Sequence, residues 1–350
     1  MDKARLNDDQ LIEKIRAKKR ELGSQLIILT HHYQRKAIVG LGDFVGDSFE
    51  LARKAAADRE CRYIVFCGVH FMAESAAVLA KPHQVVQIPD EEAGCWMADM
   101  ADSETVKSAF EQLESLAGKG STIPVVYMNS DAGLKAFCGD HGGLVCTSSN
   151  AEKALKWAFG KGEKVLFFPD RHLGHNTGHD LGLAPEEMVV WSPDKPFGGN
   201  DPDALRRARL VLWDGYCLVH SRFTCEHIEE KRAEFPGAKI IVHPECTREV
   251  VAMADASGST SRIEKFVREA PAGSTIIIGT EINFIERLAS EYPDKKVLDL
   301  HRSLCPNMFK INLGKLSDTL ENLGEMNVVR VDEEIKASAR VALDRMLALV

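Results

Sequence analysis

Long apolar runs are missing from the 350 residues: no stretch approaches the roughly 20 consecutive residues that a bilayer-spanning helix needs. No membrane role is expected. A basic surface is missing too, since 44 Lys and Arg face 52 Asp and Glu for a net charge of −8, with no Lys/Arg block. That removes the electrostatic footprint that nucleic acid or an anionic bilayer would need. The opening MDKARLNDDQLIEKIRAKKRELG lacks the apolar core of a secretory signal; it is charged, helix-like and closed by Gly23, so a cytoplasmic location is expected. The nine cysteines show no C-x-x-C spacing, and an odd number in a reducing compartment does not build a disulfide framework. Metal binding or burial must account for most of them.

Three of those cysteines stand in matching places. The apolar run 85–88 enters a Pro-Asp-Glu-Glu-Ala-Gly turn and then Cys95. The run 210–213 passes through Asp-Gly-Tyr to Cys217, with His220 three residues on, and the run 297–300 leads through His-Arg-Ser-Leu to Cys305. A cysteine repeated at the same place in three repeats points to a shared ligand.

The rest of the chain follows the same three-part order. Apolar runs at 26–29, 63–66 and 85–88 alternate with helical patterns; 125–128, 165–168 and 210–213 restart the order, and 239–242, 275–278 and 297–300 repeat it. Such short, largely apolar runs between helices, wholly apolar at 26–29, predict parallel strands covered on both faces. The expected fold is α/β, with three pseudo-symmetric αβα sandwich domains, each holding a small parallel sheet, around a central active site. Their expected bounds are 1–103, 104–222 with an insertion at 171–200, and 223–310, with the segment 311–350 packing back on the first. The insertion is rich in Gly, Pro and His and reads as solvated, so His172, His175 and His179 are not taken as a metal patch.

Ligands of open parallel sheets bind beyond the carboxyl ends of the strands. Each repeat carries Ser or Thr there, at a helix start: Ser48, Ser148 with Ser149, and Ser259 with Thr260. Three helix N-termini aimed at one cavity would suit a ligand with several acidic groups. His31 and His32, adjacent on an extended strand, point to opposite faces, so at most one reaches that cavity. Gly40-x-Gly42-x-x-x-Gly46 misses the dinucleotide spacing and is set aside. Cys61, Cys67 and Cys146 lie in or beside apolar runs and read as core, Cys138 and Cys225 have no counterparts, and Cys246 competes with Cys305 because it too follows a strand end. Three thiolates favour a soft metal. A structural zinc wants a fourth protein ligand, whereas an iron-sulfur cluster on three cysteines leaves one iron open to substrate, which leans toward chemistry rather than electron transfer.

Taken together, the motifs resemble the quinolinate synthase family over nearly the whole chain. They are His31-His-Tyr33-Gln, Asp43-Phe-Val-Gly-Asp-Ser48, Gly68-Val-His-Phe-Met72, Glu92-Ala-Gly-Cys95-Trp-Met-Ala-Asp99, Tyr127-Met-Asn129-Ser130, Trp213-Asp-Gly-Tyr-Cys217-Leu-Val-His220, Val242-His-Pro-Glu245-Cys, Gly258-Ser-Thr260, Gly279-Thr-Glu281 and Cys305-Pro-Asn-Met308. The resemblance implies a 4Fe-4S cluster on Cys95, Cys217 and Cys305, and condensation of iminoaspartate with dihydroxyacetone phosphate to quinolinate, with loss of phosphate and two waters. It also implies a functional partnership with L-aspartate oxidase. Substrate contacts carried over by motif position are His31, Tyr33, Ser48, Tyr127, Asn129, Ser148, His220, His243, Glu245, Ser259 and Thr260. Tyr33 and Glu245 are expected to move protons, with His220 and His243 in the same catalytic set. The rivals are a diphthamide-type radical enzyme, which would cleave S-adenosylmethionine, and a non-catalytic metal sensor or store.

Overall fold

Aliphatic and β-branched runs buried from end to end become the central strands of parallel sheets, because helices cover such a strand on both faces. Leu26–His31 (β1) and Thr122–Tyr127 (β5) are buried at every position. The computed structural model describes residues 6–58 and 60–349. Its other strands are Phe44–Gly46 (β2), Tyr63–Cys67 (β3), Val85–Gln87 (β4), Leu144–Cys146 (β6), Lys164–Phe168 (β7), Met188–Trp191 (β8), Leu210–Trp213 (β9), Lys239–Val242 (β10), Ala256–Ser257 (β11), Thr275–Gly279 (β12) and Lys296–Asp299 (β13).

They form three sheets in the orders β2-β1-β3-β4, β6-β5-β7-β9-β8 and β11-β10-β12-β13. Every pairing between neighbouring strands is parallel. The same order therefore occurs three times, with β8 added at one edge of the second sheet. Helices flank each sheet, so the expected α/β class with three αβα layers is the observed one. The third sheet shows how the layers close: Ile240, Val242 and Ile277 pack with Phe223, Ile228, Cys246 and Val250 in one sealed cluster.

Two compact units divide the chain: residues up to 94 with 305–331, and 95–304 with 332–350. In the first, the helix Asp8–Leu22 starts on a reciprocal cap between Asn7 and Gln10 and stops at Gly23, whose φ of 53° suits glycine. Residues 1–5 of the expected opening helix lie outside the described residues. The helix Leu313–Glu321 packs on Asp8–Leu22. The segment after 310 is thus split: Leu313–Glu321 lies in the first unit, but the last helix, Glu333–Leu347, packs on Ala132–Asp140 and β6 of the second sheet. Gly139 makes that contact possible, since a Cβ there would stand 1.9 Å from the Ser338 carbonyl oxygen. An apolar helical stripe does not name its partner; the missing side chain opposite does.

The expected insertion at 171–200 also needs correction. Residues Arg171–Asp180 form the helix of the β7–β9 crossover, as His70–Leu79 follows β3 and Ile282–Glu291 follows β12. Leu173, Asn176 and Thr177 are buried in it, so it is a packed layer and not a solvated loop. The added material is the part after it, which carries β8.

Candidate functional site

The polar residues of the second unit gather in the loops beyond β5, β9, β10 and β12, where parallel strands end and the backbone is free to turn. Glu245, 2% exposed, is their centre. One carboxylate oxygen accepts a short hydrogen bond from the Tyr127 hydroxyl. The other accepts from His220 Nδ1 at 2.7 Å. His220 Nε2 is 3.0 Å from Thr280 Oγ1, and its ring stacks on His243 at 4.2 Å between centroids and 16° between planes. Tyr127, His220, His243 and Glu245, each expected from sequence, are thus brought together.

Burial opposes the charge on Glu245, but His243, His220 and the hydrogen bonds from His220 and Tyr127 outweigh it and hold the carboxyl well below the usual range. With Glu245 ionised, His220 Nδ1 must be the donor, so in the neutral ring Nε2 accepts from Thr280. Asp170 is the opposite case. Burial, then the charge of Glu245, push it well above the usual carboxylate range, despite the N–H groups at the start of its helix. Its Oδ1 accepts from Leu173 N at 2.7 Å, while Oδ2 has no partner among the described residues. Two buried carboxyls pushed in opposite directions is a pattern that also occurs in acid-base sites.

The cysteines divide by exposure. Cys61, Cys67, Cys138, Cys146 and Cys246 are sealed, Cys246 within the third sheet's apolar cluster, whereas Cys95, Cys217, Cys225 and Cys305 keep open surface. Three of these four follow β4, β9 and β13, which hold the same place in their sheets; Cys225 opens the helix Cys225–Glu234. The Cys217 thiol reaches deep enough for burial to push it well above its usual value, though the loop leaves the residue partly open; Glu245 and Cys95 add to the rise. Cys217, His220 and Glu245 offer ligand atoms within 4.8 Å of one another.

Met100 ties the Cys95 loop to the Cys217 loop. Its carbonyl accepts from Trp213 Nε1 at 2.7 Å, and its sulfur accepts from Tyr216 N at 3.4 Å. Arg171 braces the Cys217 loop from behind, pairing with Asp214 and donating its N–H to the Gly215 carbonyl at 2.9 Å.

The remaining predicted residues stand at or follow the carboxyl ends of strands, each within its own unit. Asn129 and Ser148 are half-buried, Ser148 in the turn before the helix Ala151–Phe159. Ser259 caps Thr260–Glu269, accepting from Arg262 N. In the first unit, His31 ends β1 and meets Tyr33 edge to face at 4.8 Å between centroids, and Ser48 opens Ser48–Ala57 behind its cap Asp47. His31 and His32 are both buried. Sequence reasoning missed Asp170 and Thr280. A signal existed: Asp170 stands two residues past β7 and Glu281 two past β12, each the cap of the following helix.

No described helix is long and apolar enough to cross a membrane. The family model described as quinolinate synthetase A protein matches residues 13–348. The quinolinate synthase of Corynebacterium glutamicum is 51% identical over 99% of this chain and 89% of its own length. That of Streptomyces coelicolor is 49% identical over 98% and 89%, and that of Halalkalibacterium halodurans 45% over 97% and 93%. With a buried cluster of Tyr127, His220, His243 and Glu245 and three loop cysteines at matching strand ends, and with that likeness running almost end to end, the chain belongs to the quinolinate synthetase A protein family.

Proposed function

We propose that this chain is a quinolinate synthase of the cytoplasm that condenses iminoaspartate with dihydroxyacetone phosphate. The products are quinolinate, phosphate and two waters, so atoms and electrons balance with no added oxidant. The observation that carries the reading is the buried Glu245 hydrogen-bonded by His220 and Tyr127 in a chain of this family. Iminoaspartate would come from L-aspartate oxidase. The three sheets would be the cores of three repeats bounded near 103 and 222.

A 4Fe-4S cluster would be held by Cys95, Cys217 and Cys305. The donor set fits: soft sulfur ligands for soft iron, on three loops whose cysteines are only partly covered, while five other cysteines are sealed in core. When bound, an iron with an open position supplies a Lewis acid for a substrate carbonyl or hydroxyl. The chain's own residues bind and move protons. Glu245, Tyr127 and His220 form one hydrogen-bonded relay that takes a proton from carbon or nitrogen and passes it on, with the carboxylate's charge steadied by the other two. Tyr33, beside His31, is the hydroxyl acid-base group of the first sheet. Ser48, Asn129, Ser148, Ser259 and Thr260 would hold the acidic groups of the two substrates at strand and helix ends.

An anaerobic assay with both substrates tests the proposal: quinolinate and inorganic phosphate should appear in equal amounts. Phosphate without quinolinate, or neither, would overturn it. The Cys217, His220 and Glu245 donors favour one second reading, a single zinc. Iron and sulfide counting on anaerobically purified protein decides between them.

A further inference from the structure

The helix Arg171–Asp180 is gripped from two sides. Gly174 and Gly178, one turn apart, face the second sheet: a Cβ on Gly174 would come within 2.4 Å of Leu212 and 2.6 Å of Phe167, and one on Gly178 within 2.7 Å of Leu210 and of Met188. Asn176 is two residues from each, about 200° around the axis, and so lies on the opposite face. It is 2% exposed. There its side-chain Nδ2 donates to the Pro244 carbonyl at 2.9 Å and to the Cys246 carbonyl at 2.9 Å. The residue between those carbonyls is Glu245.

One planar amide thus spends both its protons on the carbonyls of the two residues that flank the buried acid. The same turn is closed from within, by Cys246 N donating to the His243 carbonyl at 3.0 Å and Glu245 N to His243 Nδ1 at 3.3 Å. We propose that Asn176 is the positioning residue for Glu245: by bracketing the turn after β10 against a helix of the second sheet, it sets where the carboxylate meets Tyr127 and His220. The proposal rests on the reading of Glu245 as the proton-handling group. Donor chemistry is essential to it, because leucine fills the same volume with no N–H and aspartate would turn acceptors toward two carbonyls.

The test compares Asn176→Leu with the parent protein, both purified anaerobically with their iron. Exchange of backbone amides in a peptide spanning 243–247 should quicken by about tenfold while peptides of the first sheet stay unchanged. Turnover should fall by about tenfold or more with KM held within about twofold and iron content unchanged, as expected when an acid-base group is misplaced and the substrate still binds. Asn176→Gln, which keeps both protons on a longer arm, should fall between the two. Unchanged exchange, or turnover within about twofold of the parent, overturns the proposal. If Asn176→Leu does not fold, Asn176→Ser takes its place under the same criteria. Glu245→Gln runs alongside: full turnover in that variant removes Glu245 from catalysis, and the exchange result still decides what Asn176 holds.

Discussion

His220 Nδ1 lies 2.7 Å from one oxygen of Glu245, while the same ring stacks 4.2 Å from His243. A carboxylate taken out of water keeps its charge only where donors and positive potential replace the lost hydration. Glu245 has both.

Replacing Glu245 by glutamine keeps the shape and removes the charge that Tyr127 and His220 address. Turnover should drop about 10²- to 10⁴-fold with bound iron unchanged, measured by quinolinate formation and iron analysis. A variant within about tenfold of the parent would sink the assignment.

Cys95→Ala, Cys217→Ala and Cys305→Ala should each lose bound iron and its visible absorbance. Cys246→Ala should keep both, because its sulfur is packed among Phe223, Ile228 and Ile240 and does other work. Its loss leaves a small cavity costing about 1–2 kcal/mol, read from urea unfolding. Iron lost from Cys246→Ala and kept by Cys305→Ala would exchange the two roles.

Thiol labelling of the metal-free native protein at pH 8 should find Cys95, Cys225 and Cys305 well before Cys61 and Cys67. Burial pushes Cys61 up to about 12, with Asp58 adding to it, and burial pushes Cys67 to about 12 as well. A raised thiol pKa keeps the unreactive protonated form at pH 8, and only unfolding exposes it. Peptide mapping by mass would show the order. Early labelling of Cys67 would contradict the packing of β3.

Gly139→Ala should destabilise the protein by about 1–3 kcal/mol, because the new methyl meets the Ser338 backbone and the last helix has to shift. A lower urea midpoint with an unchanged slope is the expected signature. An unchanged midpoint would mean that this helix carries little of the stability.

Much of the fold was legible because the central strands are short apolar runs between helical patterns, as at 26–29 and 275–278. The outer strands β2, β6 and β11 were not, since two or three residues carry no periodicity and their sequences read as helix entries. Arg171–Asp180 looked like a loop for a physical reason: Gly174 and Gly178 weaken helix propensity and are there for the close approach of Leu212 and Leu210. Tyr127, His220, His243 and Glu245 were legible as polar residues at strand ends. Asp170 was hidden as an ordinary helix cap and Thr280 as the residue before another cap, Glu281, and only their depth and partners single them out.

Met100 gives the paired cysteine loops an unequal chemistry. Its thioether takes the Tyr216 N–H while its carbonyl takes the Trp213 indole, so one residue latches both loops. A thioether converts to a sulfoxide under mild oxidants, becoming bulkier and strongly polar. Peroxide can therefore loosen the frame around Cys95 and Cys217 even where both sulfurs are shielded, and peroxide-treated protein would take up less iron after its thiols had been fully reduced.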